Sequence, residues 1–238
     1  GFSFKISGKK LYPIMIAEKQ CSQIRITAKG NGGHGSLVYK DTAMEKAAKA
    51  IVKLSNNRLP VRITPAVKYM ISEMALALGG YEKIALNLLT KQRSANIILK
   101  LLGSQGEMFD PLLHNNINVT IINGGHAINV IPSEVSFECD MRIVPGCSIE
   151  DAVMDVKNLI GSEYDIKVIR YDQSSTNFEI TQLPNLSKAI VKNDLEAIPV
   201  PFVLSGVTDG RFLSRLGIQT YGFTPMKLPD EYNFSAMA

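Results

Sequence analysis

The sequence predicts an α/β domain split between the two ends of the chain and incomplete here, with an α+β sandwich inserted into it. Three observations predict this. Residues 134–143 alternate strictly, with Val135, Phe137, Cys139, Met141 and Ile143 set against Ser136, Glu138, Asp140 and Arg142, the pattern of a strand with one buried face. Around that strand, residues 22–173 give the order strand, helix, two strands, helix, strand, which closes into a small antiparallel sheet with helices on one face. The flanking segments, 1–21 and 174–238, carry α/β punctuation of their own, which the sandwich interrupts.

The elements follow in order. Phe2 to Ile6 and Leu11 to Ala17 are strand-like runs joined by the turn-rich "SGKK", the makings of a hairpin. Gln23 to Lys29 alternates Ile24, Ile26 and Ala28 with polar residues and leads into the glycine-rich "KGNGGHGS". Thr42-x-x-Glu45 is a capping box for a helix whose apolar stripe is Ala43, Ala47, Ala50 and Leu54. Thr64-Pro65 starts a second helix that Gly79-Gly80 stops, and Tyr81 to Leu102 reads as further helix. Asn118 to Ile122 is a strand, and Ser148-x-x-Asp151 caps a helix that ends at Gly161 before a strand over Tyr164 to Tyr171. The last segment gives a helix over Leu186 to Asn193, a strand over Val200 to Leu204, a short helix from Asp209 to Gly217 and a strand over Ile218 to Phe223.

Composition narrows the function classes. The net charge is +4, with lysines and arginines scattered among acids, so there is no basic stripe of the kind that tracks phosphates, and nucleic acid is not an expected partner. The apolar runs are too short to span a bilayer and no leader opens the chain, which places the expected location in the cytoplasm, away from membranes. Three cysteines without CxxC spacing suggest neither a disulfide framework nor a thiolate zinc site and are expected as small buried hydrophobes. The chain begins on what reads as a hairpin and stops without a closing element, as a piece of a longer polypeptide would.

Few residues offer chemistry. His34, one of three histidines, sits among four glycines. It is either a turn histidine without a chemical role, a hydrogen-bond donor aimed at a substrate oxygen, or part of a backbone anion nest. Asn129 precedes a proline-kinked strand entry, and Arg142 lies on a polar strand face, where it either pairs with Glu138 or Asp140 or captures a carboxylate with its guanidinium fork. "SGVTDGRFL", from Ser205, follows an apolar strand, where α/β folds place ligands, and Asp209 within it suits an N-cap. There is no GxSxG, no HExxH and no dense cluster of His, Asp and Glu, so the residues themselves supply no catalytic engine.

Taken together, "AEKQ", "GGHGS…DTAMEKAAKAI", "NINVTIINGGHAINVIPSEVSFECDMRIVPG" and "SGVTDGRFL…GIQTYGFTP" resemble, in order, the zinc-dependent aminoacylase family, which includes acetylornithine deacetylase, succinyl-diaminopimelate desuccinylase, and carboxypeptidase G- and S-like metallopeptidases. The resemblance implies a two-domain hydrolase. Residues 1–21 and 174–238 would be part of its catalytic domain, without the N-terminal portion, and residues 22–173 an inserted lid that pairs with a second subunit as a homodimer. It further implies two zinc ions that activate water to cleave the amide bond of an N-acyl-amino acid or small peptide. The family's metal ligands lie before "AEKQ" and after "GFTPMKLPDEYNF", so none is expected in this chain. His34 would act in trans as an oxyanion donor; Asn118, Asn129 and Arg142 would hold the substrate's polar end and carboxylate; Ser205, Gly206 and Thr208 would border it. Two features depart from the pattern. Gly210 replaces the usual alanine, and the helical stretch from Leu59 to His114 exceeds the usual lid, as in the carboxypeptidase S-like branch. The alternative is a non-catalytic dimerisation or ligand-binding module with the same surfaces.

Overall fold

The computed structural model describes residues 3–174, 178 and 180–226. The tail matched by "GFTPMKLPDEYNF" continues past Met226, outside the described residues. Two sheets organise the chain, and each answers to a different apolar pattern.

The first sheet has three strands. β1 (Phe4–Ile6) and β2 (Lys9–Glu18) form the expected antiparallel hairpin, turned at Ser7 and Gly8, both of which take positive φ. β2 is central and buried on both faces, as its near-continuous apolar run requires. After one residue, Lys19, the chain continues as β3 (Gln20–Lys29), which starts three residues before the alternating run, and then as the short β4 (Gly33–His34).

Helix α1 (Ala43–Asn56) begins as its cap predicts: Thr42 Oγ1 accepts from Glu45 N at 3.2 Å. The Glu45 carboxylate reaches back one residue further than in a capping box, to Asp41 N. Next come α2 (Pro65–Leu78), α3 (Gly80–Leu89) and α4 (Gln92–Leu102). The single helical stretch expected over Tyr81 to Leu102 is therefore two helices. The break falls at Thr90 and Lys91, where Thr90 Oγ1 donates to Asn87 O and Ser94 Oγ donates to Leu88 O, an alternative to helical bonding. A short α5 (Asp110–Leu113) follows.

β5 (Asn116–Gly124), β6 (Val130–Ile131), β7 (Glu134–Ile143), α6 (Ile149–Ile160) and β8 (Asp165–Asp172) complete the middle of the chain. The second sheet is antiparallel throughout, in the order β5-β7-β3-β8. Its apolar face, with Ile24, Ile26, Phe137, Cys139 and Met141, packs against Ala43, Ala47 and Ala50 of α1 and Ala152, Val156 and Ile160 of α6. The alanines allow helix and sheet to approach closely, and the strict alternation of β7 decides which face is covered. The sandwich has the expected element order.

Finally, α7 (Leu183–Asn193) precedes β9 (Ile198–Leu204), which pairs in parallel with β2 and closes the first sheet from the far end of the chain. The short α8 (Gly210–Arg215) comes last. Ile218 to Phe223 is not a strand: only Gly222 bridges to Met15. A Cβ at Gly222 would lie 2.7 Å from that of Met15, so the contact depends on a bare backbone. Asp209 does occupy the helix entry, but its side chain makes no capping bond.

The long helical stretch packs differently from its place in the sequence. The apolar faces of α2 to α5 form one core with Leu11 of β2 and Val200 and Val203 of β9, whereas α7 covers the other face of β2 at Tyr12, Ile14 and Ile16. Residues 65–113 thus lie within the interval 22–173 but are buried against the three-stranded sheet. Arg62 ties them to the sandwich through Asp155 of α6, at 2.7 Å from both carboxylate oxygens.

Between the two sheets lies a strip of buried polar residues: Glu18, Lys19, Gln20, His114, Asn115 and Ser174. Here the chain crosses from one unit to the other. Gln20 donates to Cys147 O at 2.8 Å, Asn115 Oδ1 accepts from Val144 N at 2.9 Å, and Ser174 Oγ donates to Glu18 O at 3.1 Å. Lys19 is wholly enclosed, and its ammonium donates to His114 O at 2.8 Å. Burial lowers its pKa from 10.5 to about 7, with Arg142 pushing the same way and Asp110 opposing. Between those values the unfolded chain holds a proton that the folded chain has released, so stability rises with pH across that window and is independent of this group below it. The slope for one such group is at most about 1.4 kcal/mol per pH unit. Lys19→Met is expected to flatten the rise in urea-unfolding free energy between pH 7 and 10.5; equal slopes in both proteins would contradict this.

Candidate functional site

The glycine-rich turn is explained by close backbone packing. A Cβ on Gly30 would collide with Ala43 N and Asp41 O, and one on Gly32 would stand 2.8 Å from Ile131 O. The glycines therefore let the turn lie against the start of α1 and against the 131–133 segment. Two-residue pairing of β4 with β6 sets His34 opposite Val130, and Gly35 N donates to Asn129 O at 2.8 Å. This short ribbon brings His34 and Asn129 together, with both residues exposed.

The His34 ring is held by its own turn. Nδ1 lies 2.7 Å from Ser36 Oγ and accepts from Ser36 N at 3.3 Å. A backbone N–H only donates, so in the neutral ring the proton sits on Nε2. Nε2 has no partner among the described residues and is available as an outward-facing donor. Leu37 and Val38, just after it in sequence, and Ile128, next to Asn129, are exposed apolar residues.

Arg142 is at the opposite end of β7, beside Cys21 on β3 and Asn116 on β5. Its Nε lies 3.0 and 3.1 Å from the two oxygens of Asp140, and its terminal nitrogens have no partner among the described residues. Of the two acids expected as partners, Asp140 is the one taken; Glu138 binds Arg25 instead. Asn118 is exposed on β5, opposite Asp140.

Ser205, Gly206 and Thr208 follow β9 in a loop held from β2. Thr208 N donates to Glu18 Oε2, and Thr208 Oγ1 accepts from Gly210 N at 3.1 Å. Burial raises the pKa of Glu18, opposed by its bonds to Thr208 and the charge of Arg211. Beside this loop is a cavity of about 260 Å³, lined by Glu18, Ser174, Gly210, Gln219 and Thr220 among others. Glu18 was missed as a site residue in the sequence; the signal was an acid and a lysine closing an apolar strand.

The seven candidates do not converge. β7 is ten residues long, so at about 3.3 Å per residue its two ends stand on the order of 30 Å apart. His34 and Asn129 lie at one end, and Arg142, with Asn118 two register positions away, toward the other. A substrate pocket holding Asn129 and Arg142 together is therefore not formed within one chain. Nor do the residues present suit a zinc ion: among the described residues no group of three or more His, Cys, Asp or Glu is placed to hold a metal. Cys139, pushed up to about 12 by burial, is held as a thiol. No helix among the described residues is long and apolar enough to cross a membrane.

Comparison with known proteins places this geometry. Over 233 residues the chain is 26% identical to the probable carboxypeptidase S-like 2 of Dictyostelium discoideum, covering 92% of this chain and 42% of that protein. It is 20% identical over 220 residues to human aminoacylase-1, covering 90% and 45%. The chain thus spans less than half the length of these relatives. Among solved structures, the di-peptidase Dug1p of Saccharomyces cerevisiae matches with a TM-score of 0.52 at 17% identity, covering 94% of this chain and 50% of that one, which is a likeness of fold. Residues 16–168 match the family described as the M20 peptidase dimerisation domain. That match takes in the sandwich as far as the first half of β8, with the His34 turn and the strand bearing Arg142, and the chain belongs to this family.

Proposed function

We propose that this chain is the dimerisation part, with an adjoining segment of the catalytic part, of a metal-dependent amidohydrolase that cleaves N-acyl-amino acids or small peptides. The observation that carries the reading is His34. A turn of tightly packed backbone displays an imidazole whose Nε2–H has no acceptor among the described residues, far from Arg142 and the Ser205–Thr208 loop. A donor presented in this way suits a site completed by a second subunit.

In this reading the residues divide the work. His34 Nε2–H donates to the oxyanion that forms as the amide carbonyl is attacked. Asn129, joined to the same turn through its carbonyl, sits where it can hold the substrate's polar end from the partner's side. Arg142, steadied through Nε by Asp140, offers its two terminal nitrogens to a carboxylate as a fork. Asn118 and the loop residues Ser205, Gly206 and Thr208 border the substrate. Among the described residues no metal group forms, so no part of the hydrolytic step is assigned to a metal held by them; zinc ligands would come from segments outside the described residues.

The dimer reading has a surface to support it. β5 is an outer strand of the second sheet and exposes Ile121 and Ile122, and a groove between β5 and α1 is lined by Ile51, Leu54 and Ile117. The opposite edge strand, β8, carries Lys167 and Arg170, charges that discourage edge pairing. A second copy of the chain is the occupant we assign to the β5 edge.

Three outcomes follow. In the complete enzyme, hydrolysis of a panel of N-acyl-amino acids and dipeptides should be lost on exhaustive chelation, and His34→Ala should lower kcat by roughly 100-fold or more while dimers persist. Turnover unchanged in the variant would reject the donor role. Ile122→Lys should shift the sedimentation coefficient from dimer to monomer while the circular dichroism spectrum stays the same; a persistent dimer would place the interface elsewhere.

A further inference from the structure

We propose that Glu18 and Lys19 act as a two-ended tether that positions the Ser205–Thr208 loop relative to the base of the sandwich. Successive residues of an extended chain project to opposite sides, and these two use both sides of the crossing between β2 and β3. Glu18, 5% exposed, turns toward the loop: its Oε2 accepts from Thr208 N, and Arg211 stands close enough to favour its charge. Lys19, fully buried, turns the other way and donates through Nζ to His114 O, two residues before β5 begins. The backbone between them is fixed as well. Lys19 N donates to Leu204 O at 3.0 Å, and Glu18 O accepts from Ser174 Oγ at 3.1 Å, so the dipeptide is pinned at the exits of both β9 and β8.

The loop has few other holds. Ser205 and Asp209 are exposed, Asp209 makes no capping bond, and α8 beyond it has no buried residue. The buried carboxylate is thus the main link between the loop and the rest of the fold, and its neighbour in sequence links the crossing to the root of β5, where Asn115 is bonded to Val144 N. A shift of the sandwich against the three-stranded sheet would pass through residues 18 and 19 to the loop. Glu18 and Lys19 are positioning residues in this account, neither touching substrate. The consequence for substrate rests on the reading that the loop borders it.

Amide hydrogen exchange in the full chain tests the tether, with the amides of Phe137 and Met141 in β7 reporting global stability. Glu18→Ala should speed exchange of the Thr208 amide by roughly 10-fold or more relative to β7, and Glu18→Gln should restore most of the protection because its amide oxygen accepts the same bond. Lys19→Met should speed the same amide by about 3-fold, although Lys19 does not touch it. A Thr208 amide that responds to neither substitution, or to Glu18→Ala alone, would overturn the tether. In the complete enzyme kcat/KM should fall with Glu18→Ala and recover with Glu18→Gln. If exchange responds and kcat/KM does not, the tether stands and the loop's place beside the substrate is rejected.

Discussion

Lys19 carries an ammonium group wholly removed from water at the point where the chain leaves one sheet and enters the other, and the carbonyl of His114 is its hydrogen-bond acceptor. Burying a charge is costly unless neighbours compensate, and the surroundings of Lys19 show how the fold meets that cost. Asp110 lies near enough to favour the charge, while burial and Arg142 oppose it, and the balance brings the group close to losing its proton. The rest of the crossing follows the same rule. Gln20, Asn115 and Ser174 each bond to backbone of a neighbouring segment, so that the polar groups between the two cores are satisfied by one another. The apolar cores on either side close independently, one around the three-stranded sheet with α2 to α5 and one between the sandwich sheet and its two helices. Their relative placement rests on this polar strip together with the Arg62–Asp155 pair.

What reaches out is divided. At one end of the sandwich a ribbon of two residues on each strand holds His34 and the Asn129 carbonyl together. At the other, Arg142 and the loop after β9 stand near the crossing. Each group is incomplete by itself: the first has a donor and apolar surface without a base or a nucleophile, the second a cationic fork and an anchored loop. Under the proposed function this division has a reason, because a site shared between subunits would need one part of each chain to project away from its own body. The close-packed glycines serve that projection. They let the turn lie flat against the start of α1 and the 131–133 segment, so the imidazole is displayed from a firm base.

Much of this was legible in the sequence where a period was long enough to read. The ten residues of β7 alternate without a break, and the structure buries the apolar set while leaving the polar one half-buried or, at Glu134, exposed. The Thr42 and Ser148 caps are where the spacing puts them, because a hydroxyl three residues before a free N–H is a local arrangement. What could not be read was non-local. The helices after Pro65 have apolar faces, but nothing in a helical period says which sheet will cover them, and they pack on the one assembled from the chain's two ends. The β4–β6 ribbon is too short to leave a pattern, so the meeting of His34 and Asn129 was invisible. Ile218 to Phe223 looked like a strand from its residues, yet its pairing with β2 is confined to the Gly222 bridge to Met15. For Arg142 the sequence offered Glu138 and Asp140 as pairing partners beside a substrate carboxylate, and register could not choose between the two acids because both lie on its face; the structure pairs it with Asp140.

Complementation in mixed dimers shows whether His34 serves a partner's active site. His34→Ala subunits, inactive as homodimers, are combined with subunits inactivated by a substitution in the catalytic segment outside this chain. If His34 acts in trans, the mixed dimer joins an intact catalytic part on one subunit with an intact His34 from the other, and hydrolysis returns. If the mixed dimers form and remain as inactive as either parent, His34 works within its own subunit and the account is wrong.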